Sequence, residues 1–403
     1  MGRWLLGLQS LLVCVWLWLS PASAHAEARR LLHVSLYPYI PEPAAAALAL
    51  KQGFERDHPD VIVDITFNPH YYDLDPAAGG VLYEDADVHE IDVVFLPDFL
   101  ARHKLAPLSP TFAASLDGLT PLAAQAATVG GALVAVPQWL CTDFLIYRAD
   151  KAGLGEAPTL ADLERALGPE HGLLMNMSGD GALGELYYSA LLARGGSPEA
   201  VLSRITPTPE PDVMDRLRRI LALEPAGLGR DPAYAAQESF YARQFARRVG
   251  SAFVGYSELT HDVLEETALA CRKEDRCVTA RDIRIAAFPF GEGAVRPTIW
   301  VDMFGIDARV QGRTLTDAEA FIRYAISVPG YRALLIPAEG EPPRYLLPAT
   351  RAAFDDPAIL AAAPLYPKFK AIVDRGLVVS IPHLSAKLHD VAARIDADLP
   401  QTN

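Results

Sequence analysis

The chain has 403 residues, 36 Lys and Arg against 50 Asp and Glu, and a formal net charge of −14. Acids and bases are scattered, which excludes the clustered positive surface that nucleic-acid phosphates require and modestly favours a cationic small molecule. The length exceeds what one hydrophobic core comfortably serves, so two domains are expected.

The elements follow in order. Arg3, an apolar run from Trp4 to about Leu19 and the small residues Ala22-Ser23-Ala24 read as a signal peptide over 1–26, with cleavage fitting after Ala24 or after Ala26. The alternative is an uncleaved anchor, for which the run is short. No later segment approaches the ~20 apolar residues of a membrane span, so a periplasmic or secreted protein without stable membrane insertion is expected. LLHVSLY reads as a strand, AAALALKQGFERDHP as a helix, VIVDITF as a second strand, and IDVVFL (91–96) as a third, buried parallel strand. A helix near 121–128 and a Gly130-Gly131 turn precede ALVAVP and the strand CTDFLIYR. GLLMNM, SAFVGY, IRIAAFPF and TIWVDMFGI are further strands, separated by amphipathic helices, and the tail from Asp317 is mostly helical. Alternation of this kind predicts α/β layering in two lobes. Lobe 1 comprises 27–138 plus about 298–345, and lobe 2 comprises 139–297 plus about 346–403, with the ligand in the cleft between them.

Cysteine usage narrows the chemistry. Cys14 leaves with the signal peptide. Cys271 and Cys277 flank a polar loop whose reach allows a short disulfide in an oxidising compartment; two independent thiols or a metal pair are the alternatives. No His/Cys cluster near them makes a zinc site. Cys141, in VPQWLCTDFLIYR, is then the odd cysteine. It is either a packed small hydrophobe or a nucleophile beside the crossing between lobes.

A nucleophilic thiol needs a proton acceptor. Glu258, at the end of the buried strand SAFVGYSE, is the first candidate, although a glutamate there is also an ordinary loop or cap residue. His261 is the runner-up and lacks an orienting third group. Tyr37, Tyr39, Tyr241, Tyr256 and Trp300 sit at strand ends and turns, where aromatic faces suit a flat heterocycle or plain packing. Asp98 and Asp302 lie in or beside apolar runs, where a ligand amino group or a protein salt bridge would satisfy them. The GxGxxG match at Gly179–Gly184 reads as a glycine-rich helix start, and the sequon at Asn176 lies in an apolar strand.

LYPYIPEP, VPQWLCTDFLIYR, GLLMNMSG, SAFVGYSE and YLLPATR, in this order, resemble thiaminase I from about residue 31 to 390. The resemblance implies export and the two-lobed periplasmic-binding-protein (type II) fold. It implies a nucleophile at Cys141, a base at Glu258, and cleft roles for Tyr37, Tyr39, Tyr241, Tyr256 and Asp302. Trp300 stands where relatives tend to carry tyrosine, Asp98 follows Pro97 rather than ending its strand, and the stretch 72–90 and the Cys271–Cys277 loop look like additions. The implied reaction is base exchange. The thiolate adds to the aminopyrimidine of thiamine or a close relative, thiazole leaves, and an amine or thiol co-substrate takes its place. Asp302 and Asp98 would hold the pyrimidine. Neither metal nor cofactor is required, no nucleic acid is involved, and a monomer is expected. The alternative is a solute-binding protein that captures thiamine or a pyrimidine for an importer.

Overall fold

The computed structural model describes residues 29–399 except 69–70, 73, 76–79, 82–84, 207, 226–227, 231–238, 271–276, 292–295 and 380–383; at 74–75, 80–81, 152 and 180–181 only the backbone is described. The expected signal peptide and Cys271 therefore lie outside the described residues.

Strands β1 (Arg30–Leu36) and β2 (Val61–Phe67) pair in parallel, and helix α1 (Pro43–Asp57) crosses between them. Pro43 opens the helix, where its missing N–H costs nothing, and Ala46, Ala47, Leu50 and Phe54 are its buried residues. Strand β3 (Val88–Asp92) pairs in parallel with β1 on its other side. The expected strand IDVVFL is thus a correction. The strand ends at Asp92, whose side chain accepts the N–H of Val94 at 2.9 Å and turns the chain. Helix α2 (Leu96–Ala101) follows, so most of that apolar run packs as turn and helix.

VPQWLCTDFLIYR holds two strands, not one. Strand β4 (Val136–Cys141) belongs to the first sheet and β5 (Phe144–Arg148) to the second. The crossing falls at Thr142-Asp143, so Trp139 to Cys141 sit in the first sheet rather than the second lobe. In the second sheet β5 is central. It pairs antiparallel with β7 (Ala252–Gly255) and β8 (Ile283–Ala287), and β6 (Leu173–Leu174) lies parallel beyond β7.

The chain returns in β9 (Thr298–Ile306), whose nine residues are all buried between β3 and β4. Side chains such as Val301 and Phe304 each contribute about 1.5–3 kcal/mol there. Strand β10 (Leu347–Pro348) adds to β4, and β11 (Leu377–Val378) adds to β9. The tail therefore serves both lobes, because its last helix, Leu384–Asp398, packs on the second-lobe helix Asp180–Leu192. Gly184 permits that approach, since a Cβ there would lie 2.8 Å from the Leu388 carbonyl oxygen. The glycine-rich match is thus a helix start with close packing. Among the described residues no helix is long and apolar enough to cross a membrane.

Candidate active site

Cys141 is the last residue of β4 and is partly exposed, its Cα opposite that of Trp300 on β9. Two residues along β9, Asp302 points to the same side, because side chains on a strand alternate. The thiol donates to Asp302 Oδ2 at 3.6 Å. Asp92, ending β3, is the Cα partner of Asp302 on its other side. Three neighbouring strands thus deliver a thiol and two carboxylates to one spot.

The surroundings are strongly acidic. Burial pushes Asp92 up to about 6 and Glu90 up to about 7. Asp302 is raised well above the usual carboxylate range by burial and then by the charges of Asp92 and Glu90. The Cys141 thiol is itself held well above its ordinary value by burial and by the negative charges of Asp302, Glu258 and Asp92. The resting form is a thiol that hydrogen-bonds to a carboxylate.

Glu258 lies across the cleft, after β7 and before helix Leu259–Ala270, and is buried. Burial pushes it up to about 7, while the Ser257 hydroxyl, donating at 3.2 Å, opposes that rise. His261 is not brought to the thiol. It is buried, and its Nδ1–H donates to the Pro342 carbonyl at 3.1 Å. Asp98 sits in the first turn of α2, one turn past the strand end; the carboxylate beside Asp302, and hydrogen-bonded to Tyr72 of the cavity wall, is Asp92. Trp300 is buried, its ring 6.1 Å from that of Tyr188, and is a packing neighbour rather than a wall of the cavity.

The cavity itself measures about 420 Å³, and five tyrosines line it: Tyr37, Tyr39, Tyr72, Tyr241 and Tyr256. Tyr39 and Tyr72 stack with centroids 5.8 Å apart. The Tyr72 hydroxyl donates to Asp92 at 3.0 Å, and the Tyr37 N–H donates to Glu90 at 2.8 Å. Tyr241 donates to the Leu228 carbonyl at 2.9 Å, which leaves its ring as wall. Tyr256 donates to Glu185 at 2.8 Å, and Glu185 is pushed up to about 8 by burial and by Asp143. Asp143, in the crossing itself, rises to about 6 through burial. Asp92, Tyr72, Asp143 and Glu185 were missed in the sequence. Asp143 carried a legible signal, a lone acid between two apolar strands, and so did Asp92. Among the described residues no group of three or more His, Cys, Asp or Glu is arranged to hold a metal ion.

Two sheets joined at a crossing, a return strand and a ligand-sized cleft between them define a two-lobed α/β protein of the periplasmic-binding-protein type. Solute-binding proteins of ABC transporters share this fold. Within that class the chain is similar to thiaminase I, a family of transferase-type enzymes. It is 27% identical to thiaminase-1 of Paenibacillus thiaminolyticus over 375 residues, 88% of this chain and 85% of that one. The solved structure of thiaminase I from Bacillus thiaminolyticus superposes with a TM-score of 0.76 at 24% identity, covering 91% of this chain and 99% of that one. Clostridium botulinum thiaminase I in complex with thiamin gives a TM-score of 0.72 at 19% identity, with 91% and 99% covered. No family model matches the chain.

Proposed function

We propose that the protein is a thiaminase I-type base-exchange transferase acting on thiamine or a close aminopyrimidine relative. The observation that carries the reading is a free, partly exposed thiol at a strand end, hydrogen-bonded to Asp302, whose neighbour Asp92 is held by Tyr72 from the wall of the tyrosine-lined cavity. A binding protein has no use for that thiol.

The acidic ring suits a cationic substrate. A thiazolium in the cleft offsets the charges that hold the thiol up, so the substrate itself favours the thiolate. Glu258 takes the Cys141 proton. The thiolate adds to the pyrimidine carbon next to nitrogen, and electrons move to the exocyclic methylene as the C–N bond to thiazole breaks. Asp302 and Asp92 hold the aminopyrimidine, and their raised affinity for protons lets one of them donate to a ring nitrogen. An amine or thiol then forms a bond to the methylene carbon and loses a proton, and sulfur departs as the ring regains aromaticity. One difficult displacement becomes two easier ones. Export after cleavage near Ala24 or Ala26 and a Cys271–Cys277 bridge belong to the same reading, supported by the sequence alone, as does a monomeric state.

The test incubates the protein with thiamine and an aromatic amine, following thiamine loss and the mass of the Cys141 peptide. Turnover with a pyrimidinylmethyl adduct on Cys141, absent in Cys141→Ser, is expected. Stoichiometric binding without turnover or adduct would sink the enzyme reading in favour of a solute-binding protein.

A further inference from the structure

Glu258 faces a second cavity. A space of about 220 Å³ is lined by Glu258 and Asp262 together with Tyr39, Glu42, Ser239 and Leu259. Tyr39 and Leu259 also line the larger cavity, so these two side chains partition the spaces. Tyr39 is exposed and Glu42, Ser239 and Asp262 are half-exposed, so the smaller space meets solvent on its own side. It has room for several waters at about 30 Å³ each.

The proton account of base exchange gives this space a task. A thiazolium cation and a neutral amine enter, a neutral thiazole and a neutral substituted amine leave, and one proton is released. In the first half Glu258 takes the Cys141 proton and the sulfur becomes bonded to carbon. In the second half the incoming N–H must lose its proton while Glu258 already carries one. The Ser257 hydroxyl donates to Glu258 and is too weak a base to take its proton. The carboxylate of Glu42 is tied to Arg344 at 2.8 Å. Asp262 lies one helical turn beyond Glu258, where i and i+4 side chains are neighbours.

Resting on the base-exchange reading, we propose that Asp262 is a proton relay that acts through Glu258, carrying its proton out through the smaller cavity between the two half-reactions. The electrostatics agree with this role. Burial and Glu265 push Asp262 up to about 7 against the opposing charge of Arg243, level with Glu258 at about 7. Transfer between matched acids has almost no uphill step. The groups that face Asp262 are Glu258 before it, Glu265 on its own helix, Arg243 from helix Phe240–Ala246, and Glu42 with its Arg344 partner.

The experiment separates the half-reactions. In Asp262→Asn, single-turnover formation of the Cys141 adduct is expected within about twofold of wild type, which also reports a folded site. Steady-state exchange with an aromatic amine is expected to fall about 10–100-fold. A small diffusible base such as imidazole should restore it in a concentration-dependent manner, and Asp262→Glu should retain it. Sulfite dianion brings no proton, so with it as the nucleophile the variant should approach wild-type turnover. Equal losses in adduct formation and turnover, no recovery with imidazole, or the same deficit with sulfite overturns the relay. Absence of adduct in the wild type overturns the base-exchange reading itself, and the relay with it.

Discussion

Replacing Asp302 by Asn should move thiol reactivity and catalysis in opposite directions. The Cys141 sulfur and Asp302 Oδ2 are 3.6 Å apart. Asp302 holds its proton strongly, so its charge acts at the upper end of a pH series; once ionised, it opposes a thiolate at that spacing by about 1 kcal/mol at the dielectric of water and about 5 kcal/mol at an effective dielectric near 20. Cys141 is partly exposed, and Asp92 and Glu258 remain in the variant, so the lower part of that range, about 1–3 kcal/mol, is expected. The thiolate fraction at fixed pH below the thiol's own titration then rises about 5–150-fold. Alkylation by iodoacetamide across a pH series, with the modified peptide identified by mass, reads this directly. The same variant loses a charge-assisted contact to the aminopyrimidine, so kcat/KM for thiamine should drop about 10–100-fold. A folded Asp302→Asn protein whose Cys141 is alkylated no faster than wild type would refute the argument that this carboxylate holds the thiol protonated.

Glu258→Gln should lower exchange by about 10²–10⁴-fold, and the acid limb of the wild-type rate profile, centred near pH 7 where the carboxylate form is lost, should disappear from the residual activity. Stability should also follow pH. Glu90, Asp92, Asp143, Glu185 and Glu258 all have raised values in the folded chain. Their neutral forms favour the fold below the unfolded values near 4, and that advantage is lost as pH rises through about 6 to 8. Thermal unfolding scans without ligand should therefore show Tm falling from about pH 5 to about pH 8, and thiamine should raise Tm more at the upper end. Arg344 is buried and ties Glu42, the Pro41 carbonyl and the Leu334 carbonyl together. Arg344→Ala should cost about 2–4 kcal/mol in urea titrations and raise KM, because the anchored turn carries Tyr37 and Tyr39.

The fold class was legible because its signal, alternating runs along the chain, is local; the proposed nucleophile and base were named from equally local signals, a thiol at a crossing and a glutamate directly after a strand. The third strand was not legible. VHEID carries three polar residues, His89, Glu90 and Asp92, a pattern that reads as a loop, yet all five residues are buried.

 Each of these three is satisfied by a partner remote in sequence. His89 meets Asp307 at 3.4 Å, Glu90 accepts from the Tyr37 N–H, and Asp92 accepts from the Tyr72 hydroxyl. Partners supplied by tertiary structure leave no period in the strand itself, so the apolar run after it drew the assignment, and Asp98 was named in place of Asp92. Trp300, named as a cleft residue, and His261, weighed as the runner-up base, turn inward for the same reason. Position along a strand or beside a turn does not say whether a side chain meets the cavity or, as with the Tyr188 and Pro342 contacts, the interior.

The crossing at Thr142-Asp143 directly follows Cys141. If one lobe swings about that point, an atom is displaced in proportion to its distance from the pivot. The sulfur is carried by the first sheet, whereas Glu258 follows the end of a strand in the second sheet, three residues past the Gly255 that pairs with Phe144. Opening and closing would then change the separation of Cys141 and Glu258. Enclosure of a ligand and the approach of the two groups would be one and the same motion.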